Sequence, residues 1–225
     1  MQGKVIAVTG GFGALGRAVV EAARAAGCEV AAIDFVAAPA ADGGGVLRIG
    51  DVDLADPDAA ERAMAGVVAR FGRLDALVNV AGGFRWQTLE DGPFAGWGDL
   101  YRMNVLTAAA ASKAALPHLA SGGGAIVNVG ANGAVKAAAG MGPYAASKAG
   151  VHRLTESLAE EWKGKVRVNA ILPSILDTPA NRADMPKADP SDWVSPAEAA
   201  AVILFLASDA ASAVTGALLP VTGRV

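Results

Sequence analysis

Short runs of apolar, often β-branched residues alternate with longer alanine-rich stretches along the whole chain. The short runs are almost continuously apolar, as is typical of parallel strands that helices cover on both faces. The alternation therefore predicts an α/β fold with a single domain over residues 1–225, a doubly wound parallel sheet of about seven strands with helices on both faces. The predicted strands are Lys4–Val8, Glu29–Asp34, Val46–Ile49, Leu74–Val80, Ala125–Val129, Val166–Leu172 and Leu218–Val221.

The longer stretches predict helices that run up to Ala26, from the Asp56 cap and Pro57, over Asp99–Ala120, over Tyr144–Trp162 and over Pro196–Ala207. Three stretches between these elements read as loops. Gly43–Gly45 is a short glycine loop. Phe84–Trp97 is aromatic and polar, which fits either a wall of a substrate cleft or a packed surface loop. Pro173–Pro196 holds several prolines and is predicted to be a loop or lid over the site.

Tyr144 and Lys148 stand four residues apart at the start of a predicted helix, so both side chains leave one helical face. A phenol beside an ammonium is suited to proton transfer, because the positive charge favours the phenolate. The alternative for this short pattern is an aromatic residue and a snorkelling lysine on a solvated face.

A glycine-rich turn joins the first predicted strand to the first helix. Such a turn allows close approach of a pyrophosphate, whose charge then meets the positive end of the helix. Asp34 closes the next strand, where a carboxylate accepts the ribose hydroxyls of NAD(H) and repels the 2′-phosphate of NADP(H). We therefore expect NAD(H) to be favoured, although glycines also serve ordinary turns and Asp34 also fits a turn residue. The residues proposed from this turn are Gly10, Gly13, Ala14, Leu15 and Gly16.

Composition narrows the classes of partner. The 225 residues carry a net charge of -3 without a basic cluster, which argues against nucleic acid. The one cysteine, Cys28, is predicted to be a core residue in a reducing compartment, and no metal site is expected. No apolar run of ~18 residues exists to cross a membrane, so a cytoplasmic location and a small-molecule substrate are expected.

Taken together, these motifs resemble the short-chain dehydrogenase/reductase family over the whole chain. The matching residues are Thr9-Gly10 with Ala14 and Gly16, Asp53-Leu54, Asn79 with Ala81-Gly82, Asn104, Tyr144 with Lys148, and the stretch from Pro173 to Thr178. The resemblance implies that Tyr144 donates the proton, that Lys148 lowers the pKa of Tyr144 and holds the nicotinamide ribose, and that Asn104 kinks its helix to bind a relay water. It implies that Leu176 and Thr178 contact the carboxamide of the nicotinamide, and that the chain forms a homodimer or homotetramer on the helices of Asn104 and Tyr144.

Two positions depart from the family pattern. The family places a serine thirteen residues before the tyrosine, where this chain has Ala131, and a glycine where this chain has Ser174. A methyl group cannot donate a hydrogen bond to a substrate carbonyl, and loss of one such donor typically lowers the rate by ~10² to 10³. Ala131, Ser174, Phe84 and Trp86 are therefore candidates for the substrate side of the cleft. His118 and His152 are predicted to be surface or packed residues without a catalytic role.

The alanine is shared with the quinonoid dihydropteridine reductase branch, which the chain also resembles at Ile33-Asp34, at Val151-His152 and from Leu172 to Asp189. This resemblance implies NADH-dependent reduction of a quinonoid dihydropterin or a similar electron-poor substrate. Asn79 and Asn104 follow the general family instead, which keeps a general carbonyl reductase or alcohol dehydrogenase as an alternative. A third reading is an NAD(H)-binding module that has lost catalysis.

Overall fold

Seven parallel strands form one sheet in the computed structural model, which describes residues 1–40, 45–119 and 121–225. The strand order is β3-β2-β1-β4-β5-β6-β7, so the chain winds outwards from β1 in both directions. This doubly wound order confirms the predicted fold class, and it places a cleft where the winding reverses, at the carboxyl ends of β1 and β4. The strands are β1 Val5–Thr9, β2 Glu29–Ile33, β3 Leu47–Ile49, β4 Ala76–Asn79, β5 Ala125–Val129, β6 Arg167–Pro173 and β7 Leu218–Val221.

Two apolar cores lie on opposite faces of the sheet. Helices α1 and α7 cover one face, packing Val19 and Ile203 against strand residues such as Val8. Helices α2, α4 and α5 cover the other face, where Met64 and Leu119 are fully buried. Because residues alternate between faces along each strand, both faces of the central strands need apolar side chains. The helices are α1 Ala14–Ala25, α2 Pro57–Phe71, α3 Ala95–Tyr101, α4 Thr107–Leu119, α5 Gly142–Glu161, α6 Pro179–Asp184 and α7 Pro196–Ala207.

The helix predicted to begin at Asp99 differs from the observed one. It begins at Ala95, so Trp97 belongs to a helix and not to the preceding loop, and it winds as a π-helical turn over Arg102–Leu106 before α4 continues. π-turns are rare inside helices and are frequent at functional sites. The turn contains Asn104, which agrees with the irregular helix that the family resemblance implied. Its predicted end, Ala120, lies outside the described residues, as do Gly43 and Gly44 of the predicted glycine loop.

The stretch predicted as a loop over Pro173–Pro196 contains regular structure. It holds α6, a 3₁₀ turn over Pro190–Asp192 and a parallel bridge between Leu176 and Val194. Trp193 is buried and anchors the stretch to the body of the protein. Prolines suggested an irregular segment, but Pro179 stands at the first turn of α6, where a missing N–H costs nothing.

Candidate active site

The turn between β1 and α1 is built around glycines that leave no room for side chains. Gly10 has φ +62°, and a Cβ placed there would lie 2.8 Å from the amide nitrogen of Ala81 at the end of β4. A Cβ at Gly16 would overlap the carbonyl oxygen of Gly10. The turn therefore packs tightly against both β4 and the first turn of α1. Helix α1 begins after Gly13 without a side-chain cap, so its first amides are available to an anion, with Ala14 and Leu15 as its first residues.

Asp34 lies at the carboxyl end of β2 and is fixed by backbone amides. One carboxylate oxygen accepts from Phe12 N at 2.9 Å, and the other accepts from Phe35 N at 2.8 Å. The first bond ties β2 to the glycine turn. The carboxylate is thus held beside the glycine turn, where a dinucleotide bound to that turn would meet it.

Asp53 is held by two partners. One oxygen accepts from Ala55 N at 3.0 Å, and the other pairs with the guanidinium of Arg102 at 2.6 Å. Arg102 begins the π-turn, so this ion pair links Asp53 to the segment that carries Asn104. Leu54 is buried in the core, so any contact between residue 54 and a cofactor would have to come from its backbone.

Asn104 connects three parts of the site. Its Oδ1 accepts from Gly83 N at 2.9 Å, and its Nδ2 donates to Gly83 O at 3.1 Å and to Ser147 Oγ at 2.9 Å. Ser147 in turn donates to the carbonyl of Tyr144 at 2.8 Å. The carboxamide therefore joins the end of β4 to the first turn of α5. Sequence reasoning missed Ser147, although its place beside Lys148 on α5 was a signal that could have identified it.

Gly82 brings Asn104 and Lys148 to one point. A Cβ at Gly82 would lie 2.5 Å from Asn104 Oδ1 and 3.3 Å from Lys148 Nζ. The space that a side chain at residue 82 would need is filled by these two side chains, at the carboxyl edge of the sheet, where open α/β sheets bind ligands. Tyr144, one helical turn before Lys148, faces the same region and contacts the ring of Phe84 edge to face at 4.9 Å. The structure thus brings the predicted Tyr144, Lys148, Asn104 and Gly82 together with Phe84.

The protonation of this pair differs from the expectation that the lysine lowers the pKa of the tyrosine. Burial raises the pKa of Tyr144 to about 12 and lowers the pKa of Lys148 to about 8. Nζ of Lys148 donates to the carbonyl of Val129 at 2.8 Å, which occupies one of its three donor positions with a neutral group. In the chain alone, burial therefore outweighs the ammonium in setting the pKa of the phenol.

Ala131 leaves no hydroxyl at the position where the family has serine, and its backbone has an unexpected partner. The N–H of Ala131 donates to Nε2 of His152 at 3.3 Å. His152 is buried one turn after Lys148, and burial followed by the charges of Arg153 and Lys148 lowers its pKa. His152 is thus a packed residue, and it lies beside the motif residues because a helix returns to the same face after four residues.

Gly130 completes this contact. A Cβ at Gly130 would lie 2.6 Å from both His152 Nε2 and Leu172 Cδ2, so the imidazole fills the space beside the end of β5. His118, by contrast, lies in the last turn of α4, and His118 and Pro117 border a shallow cleft at the opposite edge of the sheet.

Two predicted residues turn away from the cleft. The side chain of Asn79 is buried beneath β4, where Nδ2 donates to Asn128 Oδ1 at 2.9 Å and to Ser112 Oγ at 3.1 Å. These bonds join β4, β5 and α4, so any contact between residue 79 and a cofactor would have to come from its backbone. The hydroxyl of Ser174 donates to the carbonyl of Thr222 at 2.8 Å, which uses its one proton within the protein.

Thr178 and Leu176 begin the segment that was predicted to contact the nicotinamide. Thr178 caps α6, its Oγ1 accepting from Asn181 N at 3.2 Å, and Leu176 O accepts from Asn181 Nδ2 at 2.7 Å. Asp177 pairs with Arg182 at 2.8 Å. These bonds fix the local backbone after β6, which ends at the same edge of the sheet as β4.

The residues present fit a nicotinamide dinucleotide. The glycine turn would take its pyrophosphate, Asp34 its adenosine ribose, and Lys148 beside Gly82 the nicotinamide end. Among the described residues, no three histidine, cysteine, aspartate or glutamate side chains group as metal ligands would, and no helix has the length and hydropathy needed to span a bilayer.

The sequence and the fold of this chain are similar to those of known proteins. Residues 11–223 match the family described as enoyl-(acyl carrier protein) reductase. A D-threitol dehydrogenase of Mycolicibacterium smegmatis is 35% identical over 244 residues, which covers 99% of this chain and 93% of the relative. A cis-4-hydroxycyclohexanecarboxylate dehydrogenase of Sinomonas cyclohexanicum is 38% identical over 182 residues, covering 76% of this chain and 73% of the relative.

Solved structures of other dehydrogenases superpose on nearly the whole chain. The carveol dehydrogenase of Mycobacterium avium, solved in complex with NAD, superposes with a TM-score of 0.86 at 29% identity and covers 99% of this chain and 97% of that one. The ligand-free aldohexose dehydrogenase of Thermoplasma acidophilum gives a TM-score of 0.89 at 27% identity, with coverage of 99% and 94%. The fold, the site geometry and these matches agree: the chain is an oxidoreductase of the short-chain dehydrogenase/reductase family.

Proposed function

We propose that this protein interconverts a secondary alcohol and a ketone with NAD(H). One observation carries the proposal: Asn104, Lys148 and the helical turn of Tyr144 converge on Gly82 at the open edge of the sheet. A proton donor, a cation and a position without a side chain therefore stand together, next to a cradle that fits a dinucleotide. Such a set is what hydride transfer coupled to proton transfer requires.

Each side chain has a defined part in this reaction. A bound nicotinamide dinucleotide supplies or accepts the hydride. In the reducing direction, Tyr144 gives the proton of its hydroxyl to the carbonyl oxygen as that oxygen becomes a hydroxyl; in the oxidising direction, it takes the proton back. The ammonium of Lys148 stabilises the phenolate left behind, and Asn104 keeps α5 in register with the end of β4.

We favour NAD(H) over NADP(H) because of Asp34. Its carboxylate is held by the amides of Phe12 and Phe35, so it cannot swing away from a ligand without losing both bonds. A fixed negative charge suits two ribose hydroxyls and opposes a 2′-phosphate. An NADH-dependent rate that exceeds the NADPH-dependent rate at equal concentrations would support this preference; the reverse order would contradict it.

The named relatives support an alcohol substrate more strongly than a pterin. D-Threitol dehydrogenase and cis-4-hydroxycyclohexanecarboxylate dehydrogenase both carry a hydroxylated compound in their names. The dihydropteridine reductase resemblance is not represented among the relatives described above. The alternative of a carbonyl reductase or alcohol dehydrogenase thus becomes the main proposal.

Ala131 keeps a quinonoid dihydropterin as the second candidate. The site lacks the hydroxyl that would hold a substrate carbonyl, and the hydroxyl of Ser174 donates elsewhere. A conjugated ring that takes hydride without a clamped carbonyl oxygen suits such a site. The same missing donor would slow an ordinary ketone by ~10² to 10³ relative to a serine-containing site.

One steady-state experiment separates these functions. NADH oxidation is measured with a set of open-chain ketones, alicyclic ketones and quinonoid dihydropterin, and NAD reduction with the matching alcohols. Turnover of ketones and alcohols above that of the pterin supports the main proposal, and the opposite order supports the second. Tight NADH binding in calorimetry with no turnover of any compound would instead indicate a binding module without catalysis.

A further inference from the structure

Trp86 is an exposed indole held in a fixed position at the mouth of the candidate active site. Its ring is 60% exposed, although tryptophan is a residue that proteins usually cover. Its Nε1 donates to the carbonyl of Ala139 at 3.2 Å, so the one polar atom of the side chain is satisfied within the protein. What remains open to solvent is therefore apolar ring surface.

The backbone under the indole is shaped to receive it. Gly140 has φ +74°, and a Cβ placed there would overlap the indole ring. A backbone bond from Gln87 N to Gly140 O at 2.9 Å fastens the two segments at the same point. Because the ring lies directly against glycine backbone and is bonded at its edge, it loses little further freedom when a ligand covers it.

This indole lies close to the reacting groups. Gly140 stands four residues before Tyr144, and Phe84, two residues before Trp86, meets the Tyr144 ring at 4.9 Å with an interplanar angle of 84°. Phe84 is itself 52% exposed. Phe84 therefore lies against the phenol that would transfer the proton, and Trp86 lies on backbone four residues before that phenol in the sequence.

Arg85, between the two aromatic residues, is paired with a carboxylate, because its guanidinium lies 3.5 Å from Asp99. A substrate with many hydroxyl groups would need several donors and acceptors at this wall, because each buried hydroxyl without a partner costs binding energy. A ring with an apolar face needs only the flat surface that Trp86 and Phe84 offer.

We propose that the substrate of this protein carries its hydroxyl or keto group on an alicyclic or aromatic ring, and that Trp86 is the specificity-determining residue that stacks on the face of that ring. This inference rests on the proposed alcohol–ketone function. It names an indole platform, seated on Gly140, as the reason that a ring is preferred to an open chain of equal size.

The test compares ring ketones with open-chain ketones and includes one pair of equal carbon number. Initial rates with NADH are measured for cyclohexanone and hexan-2-one, together with 4-oxocyclohexanecarboxylate and a four-carbon dihydroxyketone. We expect kcat/KM for the ring ketones to exceed that for the open-chain ketones by about 10-fold or more. The variant Trp86→Ala should raise KM for the ring ketones by about 10- to 50-fold and change kcat by less than about 3-fold. For the open-chain ketones, KM and kcat of the variant should stay within about 3-fold of the parent values.

Further variants separate stacking from bulk. Trp86→Phe keeps a flat aromatic face and should retain most of the preference for ring ketones. Trp86→Leu has an apolar side chain without a flat face and should lose this preference. Gly140→Ala should displace the indole and reproduce the Trp86→Ala pattern. Phe205→Ala, which removes an exposed aromatic ring on α7, serves as the control for general effects of losing surface aromatic area. Thermal unfolding midpoints and NADH affinities equal to those of the parent protein show that each variant is folded and binds cofactor.

The outcomes distinguish the two levels of the proposal. If kcat/KM of the parent protein is higher for the open-chain compounds, or if Trp86→Ala lowers kcat/KM equally for all ketones, the stacking role is wrong and the alcohol–ketone function stands. If no ketone or alcohol is turned over while NADH still binds, the proposed function itself fails, and the ring preference with it.

Discussion

At the scale of single residues, the phenol of Tyr144 is the group on which turnover depends. Tyr144→Phe removes the one transferable proton and leaves the ring in its contact with Phe84. We expect kcat to fall by ~10² to 10⁴ and the NADH dissociation constant to stay within about 3-fold. Stopped-flow or steady-state rates and calorimetric titration measure the two effects.

The other tyrosine of the chain provides the control for this change. Tyr101 is half exposed on α3, and Tyr101→Phe should leave kcat unchanged. Turnover by Tyr144→Phe close to that of the parent protein would show that the proton comes from another group.

A second residue-scale prediction concerns the methyl group of Ala131. Ala131→Ser adds a hydroxyl at the position where related proteins have a donor, and the backbone bond to His152 is unaffected because it uses the amide of residue 131. We expect kcat/KM for simple ketones to rise by ~10- to 10²-fold. Ala134→Ser, in the 3₁₀ turn that follows, is the matched control. An unchanged rate would mean that another group already supplies the hydrogen bond.

At the scale of elements, the glycine turn and α1 must fit each other without side chains. Gly16→Ala places a methyl group over the carbonyl oxygen of Gly10, which is backbone and cannot move without shifting the turn. We expect the NADH dissociation constant to rise by ~10-fold or more, together with a loss of stability of ~1 to 3 kcal/mol. Calorimetry and urea unfolding measure these changes.

Gly66→Ala gives the control for adding a methyl group to a helical glycine. Gly66 lies inside α2, and the nearest atom to the new Cβ would be Cδ1 of Ile49 at 3.7 Å. This change should stabilise the protein by ~0.5 to 1 kcal/mol, because alanine loses less backbone entropy on folding. Equal cofactor affinity of Gly16→Ala and the parent protein would contradict the assignment of the turn.

The elements themselves were largely predictable, because apolar runs mark buried parallel strands directly. The start of α3 was not predictable, because Gly96 and Gly98 in its first turns are poor helix formers. The π-turn at Asn104 depends on bonds to Gly83 and Ser147, which lie far away in sequence. Local patterns carry no information about such partners.

The same limit explains Asn79 and His152. A polar residue inside a strand signals a partner but not its direction, and Asn79 finds its partners in the core rather than in the cleft. For His152, the spacing of four residues from Lys148 was visible, but its contact with Ala131 required the position of β5 against α5. The proximity of Tyr144 and Lys148 was predictable from their spacing, whereas the hydrogen bonds that support the site were not.

At the scale of the whole molecule, the buried ammonium of Lys148 affects stability. Its pKa is 10.5 in its ordinary state and about 8 in the folded protein, so the folded chain releases this proton first as pH rises. Between pH 8 and 10.5 the unfolded chain binds more protons, and the free energy of unfolding therefore increases with pH. Complete loss of this proton would increase the free energy of unfolding by ~3 kcal/mol, and ~2 kcal/mol of this increase should occur between pH 7 and 9.5.

Lys148→Met should abolish this gain and should be more stable than the parent protein at pH 7, although inactive. Lys113→Met, at an exposed position on α4, should leave the pH dependence unchanged. Urea unfolding at pH 7 and 9.5 measures the pH dependence of both variants. The upper value is chosen below the ordinary pKa of tyrosine, because above that pKa the raised pKa of Tyr144 would lower the free energy of unfolding. A parent protein whose stability does not rise over this range would contradict the burial cost.

The assembly of the molecule is a further prediction at this scale. We expect a homodimer or homotetramer, and Tyr101 and Leu106 offer exposed apolar surface on the helical segments around Asn104. Leu106→Arg should shift the mass measured by light scattering towards the monomer if this surface is the interface. A monomeric parent protein would rule out the assembly, and an unchanged mass for the variant would place the interface elsewhere.

The contact between the His152 imidazole and Gly130 also determines the order in which substitutions at this end of β5 can be introduced. A library that varies residue 131 alone can sample hydroxyl donors, since that change leaves the ring in place. Any side chain at residue 130 collides with the imidazole and with Leu172, so such variants survive only after residue 152 has been made smaller. Laboratory evolution that introduces a side chain at residue 130 must therefore change residue 152 first, and this order can be read from the survivors of a combinatorial library.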